Sequence, residues 1–209
     1  MMSKMLDWEI ENSYRSEDAR ILCGCDEAGR GPLAGPVYAA AVILPRSFSL
    51  EGLNDSKKLT AKQRDILFDR ICEEADGWCV ARAEVEEIES MNILNAALLA
   101  MRRAIDGLPN KPDAALIDGN VSRGFRIPAF AVIHGDAVCP SISAASILAK
   151  VSRDRYCEEM DRMYPEYGFS GHKGYGTKAH YAALEAYGPC PEHRISFLRS
   201  FYERHRGNG

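Results

Sequence analysis

Two adjacent carboxylates, Asp26 and Glu27, follow the apolar run 21–25, and a glycine-rich turn containing Arg30 comes directly after them. Carboxylates at the end of a buried strand cost free energy unless a cation pairs with them. A divalent metal ion is the natural partner, because hard cations prefer carboxylate oxygen. The glycines would let backbone N–H groups approach a ligand closely. This stretch therefore indicates a metal-dependent enzyme that acts on phosphodiester bonds.

Acidic residues recur where two further apolar segments end. Asp118 ends the segment 114–117, and Asp136 follows the segment 127–133. In open α/β sheets, sites are built at such strand ends. One Asp after a strand is usually a turn residue or a helix cap, but three acidic strand ends are harder to explain as turns. The pattern favours an acidic site built from these ends.

Two loops carry groups that suit a nucleic-acid ligand. The loop before residue 60 holds Ser56, Lys57 and Lys58, although a solvated lead-in to a helix would be the commoner explanation in isolation. The glycine-rich loop 165–176 interleaves basic and aromatic residues, which suits stacking on a sugar or base beside a phosphate. A structured surface loop anchored by a tyrosine is an equal alternative on spacing alone.

The elements that must position these groups alternate along the chain. Apolar runs and alternation predict strands at 20–28, 35–44, 78–85, 114–118 and 127–133, the first two as a hairpin. Helical periodicity and capping signals predict helices at 61–75, 86–106, 141–163, 177–187 and 193–199. Thr60 and Gln63 have the spacing of a capping box for the first of these helices.

Composition limits the class of protein. A hydrophobic fraction of 46% in 209 residues is enough for a substantial core, and one large domain is the better expectation at this length. The longest apolar run, 37–44, is far too short to span a bilayer, and we expect no signal peptide. The seven cysteines form no CxxC pair, so we expect buried reduced thiols in a cytoplasmic protein.

Charge is distributed unevenly along the chain. The formal net charge is −4, but residues 119–209 are net basic and contain all five histidines. A basic C-terminal portion beside an acidic metal cluster would fit a phosphate-backbone ligand. Ordinary surface charge is the simpler explanation of the asymmetry alone.

The combined motifs resemble ribonuclease HII, the type 2 ribonuclease H family. The specific opening motif is 26–37 (DEAGRGPLAGPV), and further blocks follow in family order at 54–59, 117–120, 135–136, 143–151, 153–155, 172–177 and 193–194. The resemblance covers about residues 20–197 and departs from the family pattern modestly, at Ser143 and Ile195. It implies an α/β protein of RNase H-like fold: a five-stranded mixed sheet flanked by helices, with a helical C-terminal part at about 165–209. The chain 1–209 would then be a single ribonuclease H type-2 domain.

The resemblance also implies which residues form the site. Four carboxylates match the family's catalytic residues, which hold Mg²⁺ or Mn²⁺: Asp26, Glu27, Asp118 and Asp136. The family's backbone clamp for the ribose 2′-OH is matched by Gly29, Arg30 and Gly31. The tyrosine that stacks on the deoxyribose after a ribonucleotide is matched by Tyr175. Blocks near the phosphates contain Ser56, Lys57, Lys150 and Arg153.

The implied function is an endoribonuclease that degrades the RNA of RNA–DNA hybrids and incises 5′ to ribonucleotides in duplex DNA. Two-metal-ion hydrolysis would leave a 3′-hydroxyl and a 5′-phosphate. Two alternatives stay open: a non-catalytic hybrid-binding protein with a vestigial metal site, and a structural acidic cluster. The expected partners are hybrids and ribonucleotide-containing duplex DNA, with no membrane contact, and we expect a monomer. We expect neither a C-terminal sliding-clamp motif nor the N-terminal domain of the sister family, ribonuclease HIII.

Overall fold

A five-stranded mixed sheet forms the centre of the molecule in the computed structural model, which describes residues 6–53 and 59–206. Its strands are β1 (Leu22–Ala28), β2 (Val37–Ile43), β3 (Gly77–Ala83), β4 (Ala114–Asp118) and β5 (Ala129–Val132). Their spatial order is β3-β2-β1-β4-β5. Pairing is antiparallel from β1 through β2 to β3 and parallel from β1 through β4 to β5. The five predicted strands and the β1–β2 hairpin are confirmed.

Helices flank this sheet and form the C-terminal part of the chain. They are α1 (Glu9–Ser13), α2 (Ala61–Glu74), α3 (Val85–Met91), α4 (Ile93–Asp106), α5 (Gly135–Val138), α6 (Pro140–Met163), α7 (Phe169–His172), α8 (Lys178–Tyr187) and α9 (Arg199–Arg206). Thr60 and Gln63 form the predicted capping box at the start of α2. In the part of the chain that the structure describes, no helix is both long and apolar enough to cross a membrane.

The side chains of β2 alternate between two layers of helices. Val37, Ala39 and Ala41 belong to the core cluster that contains the apolar face of α4. Ala40 and Val42 pack instead with side chains of α2 and α6. Because both faces of β2 are covered, its sequence is a continuous apolar run rather than an alternating one.

The helix predicted at 86–106 is wrong in one respect, because the structure divides it into α3 and α4. The break lies at Asn92, which has a φ of 71°. The Asn92 side chain accepts hydrogen bonds from the backbone N–H groups of Leu94 and Asn95, each at 3.1 Å, and so caps α4. Apolar residues keep a helical spacing across the break, so periodicity alone could not reveal it.

Two predicted boundaries also change in the C-terminal part. The glycine-rich loop 165–176 contains the short helix α7. The helix predicted at 193–199 is a 3-10 helix at Ile195–Leu198, and the α-helix α9 begins only at Arg199. A β-bridge instead pairs His193 with Ala34. This bridge ties the C-terminal segment to the turn that follows β1.

The long helix α6 lies directly against β1. A Cβ atom placed on Gly24 would come within 2.2 Å of the main-chain nitrogen of Ile142, so this approach requires glycine. The buried Glu11 carboxylate accepts a hydrogen bond from the backbone N–H of Ser141 at 3.2 Å and caps the first turn of α6. These contacts fix α6 relative to the strand that carries the paired carboxylates.

Candidate active site

The four predicted acidic residues come together at one edge of the sheet. β1, β4 and β5 are parallel neighbours, so their carboxyl ends meet there. Asp26 and Glu27 lie near the end of β1, and Asp118 ends β4. Asp136 lies in the first turn of α5, which follows β5. All four line one open cavity of about 420 Å³.

Burial and mutual repulsion disfavour full ionisation of this cluster. Burial raises the pKa of Asp26 well above its ordinary value, and the neighbouring Glu27 and Asp118 charges raise it further. Hydrogen bonds from the Glu27 N–H and the Ser146 hydroxyl partly oppose this rise. Burial also raises the pKa of Glu27, against the opposing effect of Arg30. The described residues thus leave negative charge in the cavity incompletely compensated.

Protein groups hold several of these carboxylates in place. Asp26 accepts a hydrogen bond from the Glu27 N–H at 2.7 Å, and Glu27 accepts one from the Arg30 guanidinium at 3.0 Å. Asp118 accepts a hydrogen bond from the Gly135 N–H at 2.7 Å. In these side-chain positions, no three acidic, histidine or cysteine groups among residues 6–53 and 59–206 are clustered tightly enough to hold a metal ion.

The chemistry of the donor set nevertheless fits a divalent cation. Hard cations such as Mg²⁺ and Mn²⁺ prefer carboxylate oxygens, and four carboxylates share this cavity. A bound cation would also relieve the repulsion that raises the pKa of Asp26. Binding would require the side chains to turn toward a common centre.

Basic and hydroxyl side chains from two helices face the same cavity. α6 contributes Ser146 and Lys150, and α2 contributes Arg64. Lys150 forms an ion pair with Asp154 one turn further along α6. Positive groups therefore lie beside the carboxylates, as a phosphate-containing ligand requires.

The turn after β1 is packed tightly against a buried arginine. Gly29 has a φ of 99°, and a Cβ atom there would lie 2.1 Å from the Nε atom of Arg153. Arg153 is only 2% exposed. Its Nη2 atom donates hydrogen bonds to the carbonyl oxygens of Ala34 at 3.3 Å and Lys173 at 3.1 Å. Arg153 thus connects the turn to the loop that leads to Tyr175.

A second buried arginine, Arg194, determines how the peptide groups of the turn point. Its guanidinium donates hydrogen bonds to the carbonyl oxygens of Gly29 at 2.7 Å, Arg30 at 3.1 Å and Pro32 at 2.9 Å. In a trans peptide the carbonyl and the following N–H point in opposite directions. The N–H groups of Arg30 and Gly31 are therefore directed away from Arg194.

Tyr175 stands at the rim of the cavity, beside the turn. Tyr175 is 48% exposed, and a Cβ atom on Gly31 would lie 3.5 Å from its ring. Tyr175 lines the cavity together with the carboxylates. An exposed aromatic face is thus available next to the glycine-rich turn.

The structure brings most of the predicted site residues together. The cavity is lined by eight of them: Asp26, Glu27, Gly29, Asp118, Asp136, Lys150, Arg153 and Tyr175. Arg30 pairs with Glu27 and lines a neighbouring cleft. Ser56 and Lys57 lie outside the described residues.

Sequence reasoning missed three residues at or behind this site. Arg64 and Ser146 line the cavity, and Arg194 holds the turn. Arg64 comes directly after the predicted capping box. The sequence therefore already placed it in the first turn of a helix that follows a basic loop, which could have marked it as a candidate site residue. Arg194 lies in the motif block 193–194, but the carbonyl groups that it binds lie far away in the chain, so the motif does not show what this residue contacts.

Comparison with known proteins identifies the family. The sequence model of the family described as ribonuclease HII matches residues 23–202 of the chain. The chain belongs to the ribonuclease HII family. A ribonuclease HII of Paracidovorax citrulli is 58% identical over 177 residues, which cover 85% of this chain and 74% of the relative. A ribonuclease HII of Burkholderia thailandensis is 56% identical over 85% of this chain and 83% of its own length.

Solved structures agree with the ribonuclease HII fold. The ribonuclease H2 of Pyrococcus horikoshii superposes with a TM-score of 0.73 at 30% identity, over 89% of this chain and 99% of the other. A ribonuclease HII of Archaeoglobus fulgidus, solved in complex with PCNA, gives 0.73 at 25% identity over 84% and 94% of the two chains. The predicted RNase H-like fold is confirmed. Membership of the ribonuclease HII family shows that the chain is an enzyme, a ribonuclease.

Proposed function

We propose that the protein is an endonuclease that cleaves the RNA strand of RNA–DNA hybrids and cuts 5′ to ribonucleotides embedded in duplex DNA. Each cut would leave a 3′-hydroxyl and a 5′-phosphate, and would start the removal of ribonucleotides from DNA. The observation that carries the proposal is the convergence of Asp26, Glu27, Asp118 and Asp136 on one cavity beside the turn and Tyr175. Family membership supports the same activity.

The four carboxylates would bind two divalent ions, Mg²⁺ or Mn²⁺. Such ions, when bound, activate a water molecule and stabilise the departing 3′ oxygen. The protein's own part is to place the scissile phosphate. Lys150 and Arg64 line the same cavity as the carboxylates, where their charges would hold phosphate oxygens.

The turn would read the ribose 2′-OH through its main chain. Arg194 and Arg153 hold Gly29 and its neighbours from behind, and the N–H groups of Arg30 and Gly31 are directed away from Arg194. The 2′-OH can both donate and accept a hydrogen bond, and it is the group that distinguishes RNA from DNA. A rigid backbone is suited to this test, because it does not need to become ordered when the substrate binds.

Tyr175 would contact the nucleotide that follows the ribonucleotide. Its exposed ring lies next to the turn, so a sugar held beyond the turn could stack on it. Stacking on deoxyribose would favour an RNA–DNA junction. Ser56, Lys57 and Lys150 are proposed to contact phosphates as well, because they lie in motifs shared with the family.

Cleavage of a DNA duplex that carries one ribonucleotide tests this function. The substrate is incubated with Mg²⁺ or with Mn²⁺, with EDTA, and beside an all-DNA duplex of the same sequence. We expect one metal-dependent cut 5′ to the ribonucleotide, with a 3′-hydroxyl product, and no cut in the all-DNA duplex. Equal cutting of both duplexes would contradict 2′-OH recognition. Binding without cutting under either metal would favour a non-catalytic hybrid-binding protein.

A further inference from the structure

Two buried histidines form a hydrogen-bonded pair behind the main chain of Tyr175. His180 is fully buried and His193 is 2% exposed. Their Nε2 atoms lie 2.9 Å apart. The Nδ1 atom of His180 lies 3.0 Å from the carbonyl oxygen of Tyr175. A continuous set of contacts therefore runs from His193 to the residue proposed to stack on the substrate.

A single tautomer assignment satisfies every bond in this set. The backbone N–H of Cys190 donates to Nδ1 of His193 at 2.9 Å, so the ring proton of His193 lies on Nε2. That proton is donated to Nε2 of His180. His180 then carries its own proton on Nδ1 and donates it to the Tyr175 carbonyl. Both rings are neutral, and each nitrogen has one defined role.

The same C-terminal segment also holds the glycine-rich turn. His193 bridges to Ala34, and the backbone N–H of Arg194 donates to the Leu33 carbonyl at 2.8 Å. The Arg194 side chain binds the carbonyl of Gly29. Two consecutive residues thus contact both parts of the proposed recognition surface: Arg194 contacts the turn, and His193 reaches the Tyr175 loop through His180.

We propose that His180, supported by His193, is a positioning residue that sets the distance between Tyr175 and the turn. Neither histidine would touch the substrate. Their effect would be to place the Tyr175 ring where it stacks on the deoxyribose that follows a recognised ribonucleotide. The pair would therefore determine the preference for an RNA–DNA junction over continuous RNA. This inference rests on the proposed function.

The ring of Tyr175 needs such a support from its main chain. About half of the residue is exposed, so packing around its side chain restrains it little. The Tyr175 N–H donates to the His172 carbonyl at 2.9 Å, and the His180 bond holds the opposite side of the residue. The Tyr175 carbonyl also accepts a hydrogen bond from the Thr177 N–H at 2.8 Å. Loss of the His180 bond would therefore weaken the hold on this carbonyl without freeing it completely, while leaving the metal site unchanged.

A matched pair of amide substitutions tests the proposal. In His180→Asn the amide nitrogen replaces Nδ1, which preserves the donor to the Tyr175 carbonyl and removes the link to His193. In His180→Gln the longer side chain can place its amide oxygen at the position of Nε2, where it accepts from His193; this preserves the link and removes the donor to Tyr175. We expect His180→Gln to lower kcat/KM for a single-ribonucleotide duplex by about tenfold, mainly through KM. His180→Asn should retain most of the wild-type preference.

The comparison substrate is a hybrid with a continuous RNA strand. On that hybrid, His180→Gln should lose much less activity than on the single-ribonucleotide duplex. In a Tyr175→Ala background, His180→Gln should cause no further loss, because its effect passes through Tyr175. Equal losses on both substrates, or losses that add to those of Tyr175→Ala, would overturn the inference while leaving the nuclease function intact.

Tyr167→Phe is the control for a merely structural effect. It removes the hydrogen bond from the Tyr167 hydroxyl to the Gly188 carbonyl, 2.7 Å long, in the same part of the molecule. It should lower the melting temperature without changing the substrate preference. An equal change of preference in Tyr167→Phe would overturn the inference. A wild-type protein that cuts neither substrate would overturn the proposed function itself.

Discussion

The carboxylate cluster places like charges close together in a buried position. Asp26 is 6% exposed, and the charges of Glu27 and Asp118 add to the effect of burial on its pKa. A folded-state pKa above the unfolded value means that stability is present at low pH and is lost as the pH rises through the folded pKa. At neutral pH the cluster therefore destabilises the fold, and a bound cation would reverse this.

Asp26→Asn should stabilise the metal-free protein while abolishing cleavage. The amide removes one repelling charge, so we expect the free energy of unfolding in EDTA to rise by on the order of 1 kcal/mol. Thermal melts with and without Mn²⁺ measure this. The wild-type melting temperature should rise with Mn²⁺, and that of Asp26→Asn should respond far less.

Asp161→Asn provides the control of opposite sign. Hydrogen bonds from Ser170 lower the pKa of Asp161, so this carboxylate stabilises the fold at neutral pH. Asp161→Asn should therefore lower the melting temperature and retain the full response to Mn²⁺. An equal response to Mn²⁺ in Asp26→Asn and the wild type would contradict a metal site at Asp26.

At the scale of elements, the glycine-rich turn is held by two arginines that lie far from it in the sequence. Arg153 comes from α6, and Arg194 comes from the segment before α9. Among the described residues, the hydrogen bonds of both arginines go to main-chain carbonyls, and none goes to a carboxylate. Burial and the Arg153 charge lower the pKa of Arg194 to about 9. The arrangement costs desolvation energy, which is consistent with a role in shaping the turn.

Gly29→Ala should damage substrate recognition more than stability. The new Cβ atom would meet the buried Arg153 side chain at 2.1 Å and force the turn to move. We expect kcat/KM for the hybrid to fall by about 100-fold, as small misplacements of reacting groups can cause. Steady-state cleavage kinetics measure the change.

Gly168→Ala is the matched control for this substitution. Gly168 also has a positive φ, 72°, but a Cβ atom there would meet nothing within 4 Å. The control should lose about 1 kcal/mol of stability from backbone strain and keep its activity. The role of the turn would be refuted by equal activity losses in the two variants.

Local patterns account for most of the elements that could be predicted. Strand β2 and the start of α2 could be predicted because an apolar run and the Thr60 capping box are patterns of residues that lie close together in the sequence. Asn92 ends a helix through its own φ, which apolar spacing does not encode. Arg194 contacts residues more than 150 positions away, so only the folded chain reveals it.

Some residues of the candidate site could likewise be predicted from the sequence, and others are recognisable only in the folded chain. The acidic residues could be predicted, because strand ends and paired carboxylates are visible in the sequence. The burial of Arg153 could not be predicted, because a basic residue on a helix ordinarily faces solvent. The hydrogen bonds between His180, His193 and Tyr175 likewise depend on how α8 packs in the C-terminal part.

At the scale of the whole molecule, the C-terminal helices pack back on the turn through an apolar cluster. Leu33 and Ala34 of the turn share this cluster with Met160, Phe169 and Leu198. The buried histidines lie against it, since the Phe169 ring contacts both His180 and His193. Burial lowers the pKa of each histidine to about 4.

These histidines should make the fold sensitive to acid. Their stabilising contribution is fully present above the ordinary histidine pKa of about 6.5 and is lost as the pH falls through about 4. Melting temperature measured against pH should therefore fall more steeply in the wild type than in His180→Asn between these values. Asp26 and Glu27 act in the opposite direction, so the difference between the two proteins is the informative quantity. Identical slopes would contradict a neutral buried His180.

The central claim is that the carboxylates at the ends of the parallel strands cleave RNA in a hybrid. Single-turnover cleavage in Mn²⁺ by Asp118→Asn and Asp113→Asn tests it most directly, because the two aspartates lie at opposite ends of β4. Asp113 accepts hydrogen bonds from the backbone N–H groups of Arg20 and Ile21, outside the cavity. We predict that Asp118→Asn falls below about 1% of the wild-type rate, while Asp113→Asn stays close to it. Cleavage by a folded Asp118→Asn protein at the wild-type rate would contradict the account.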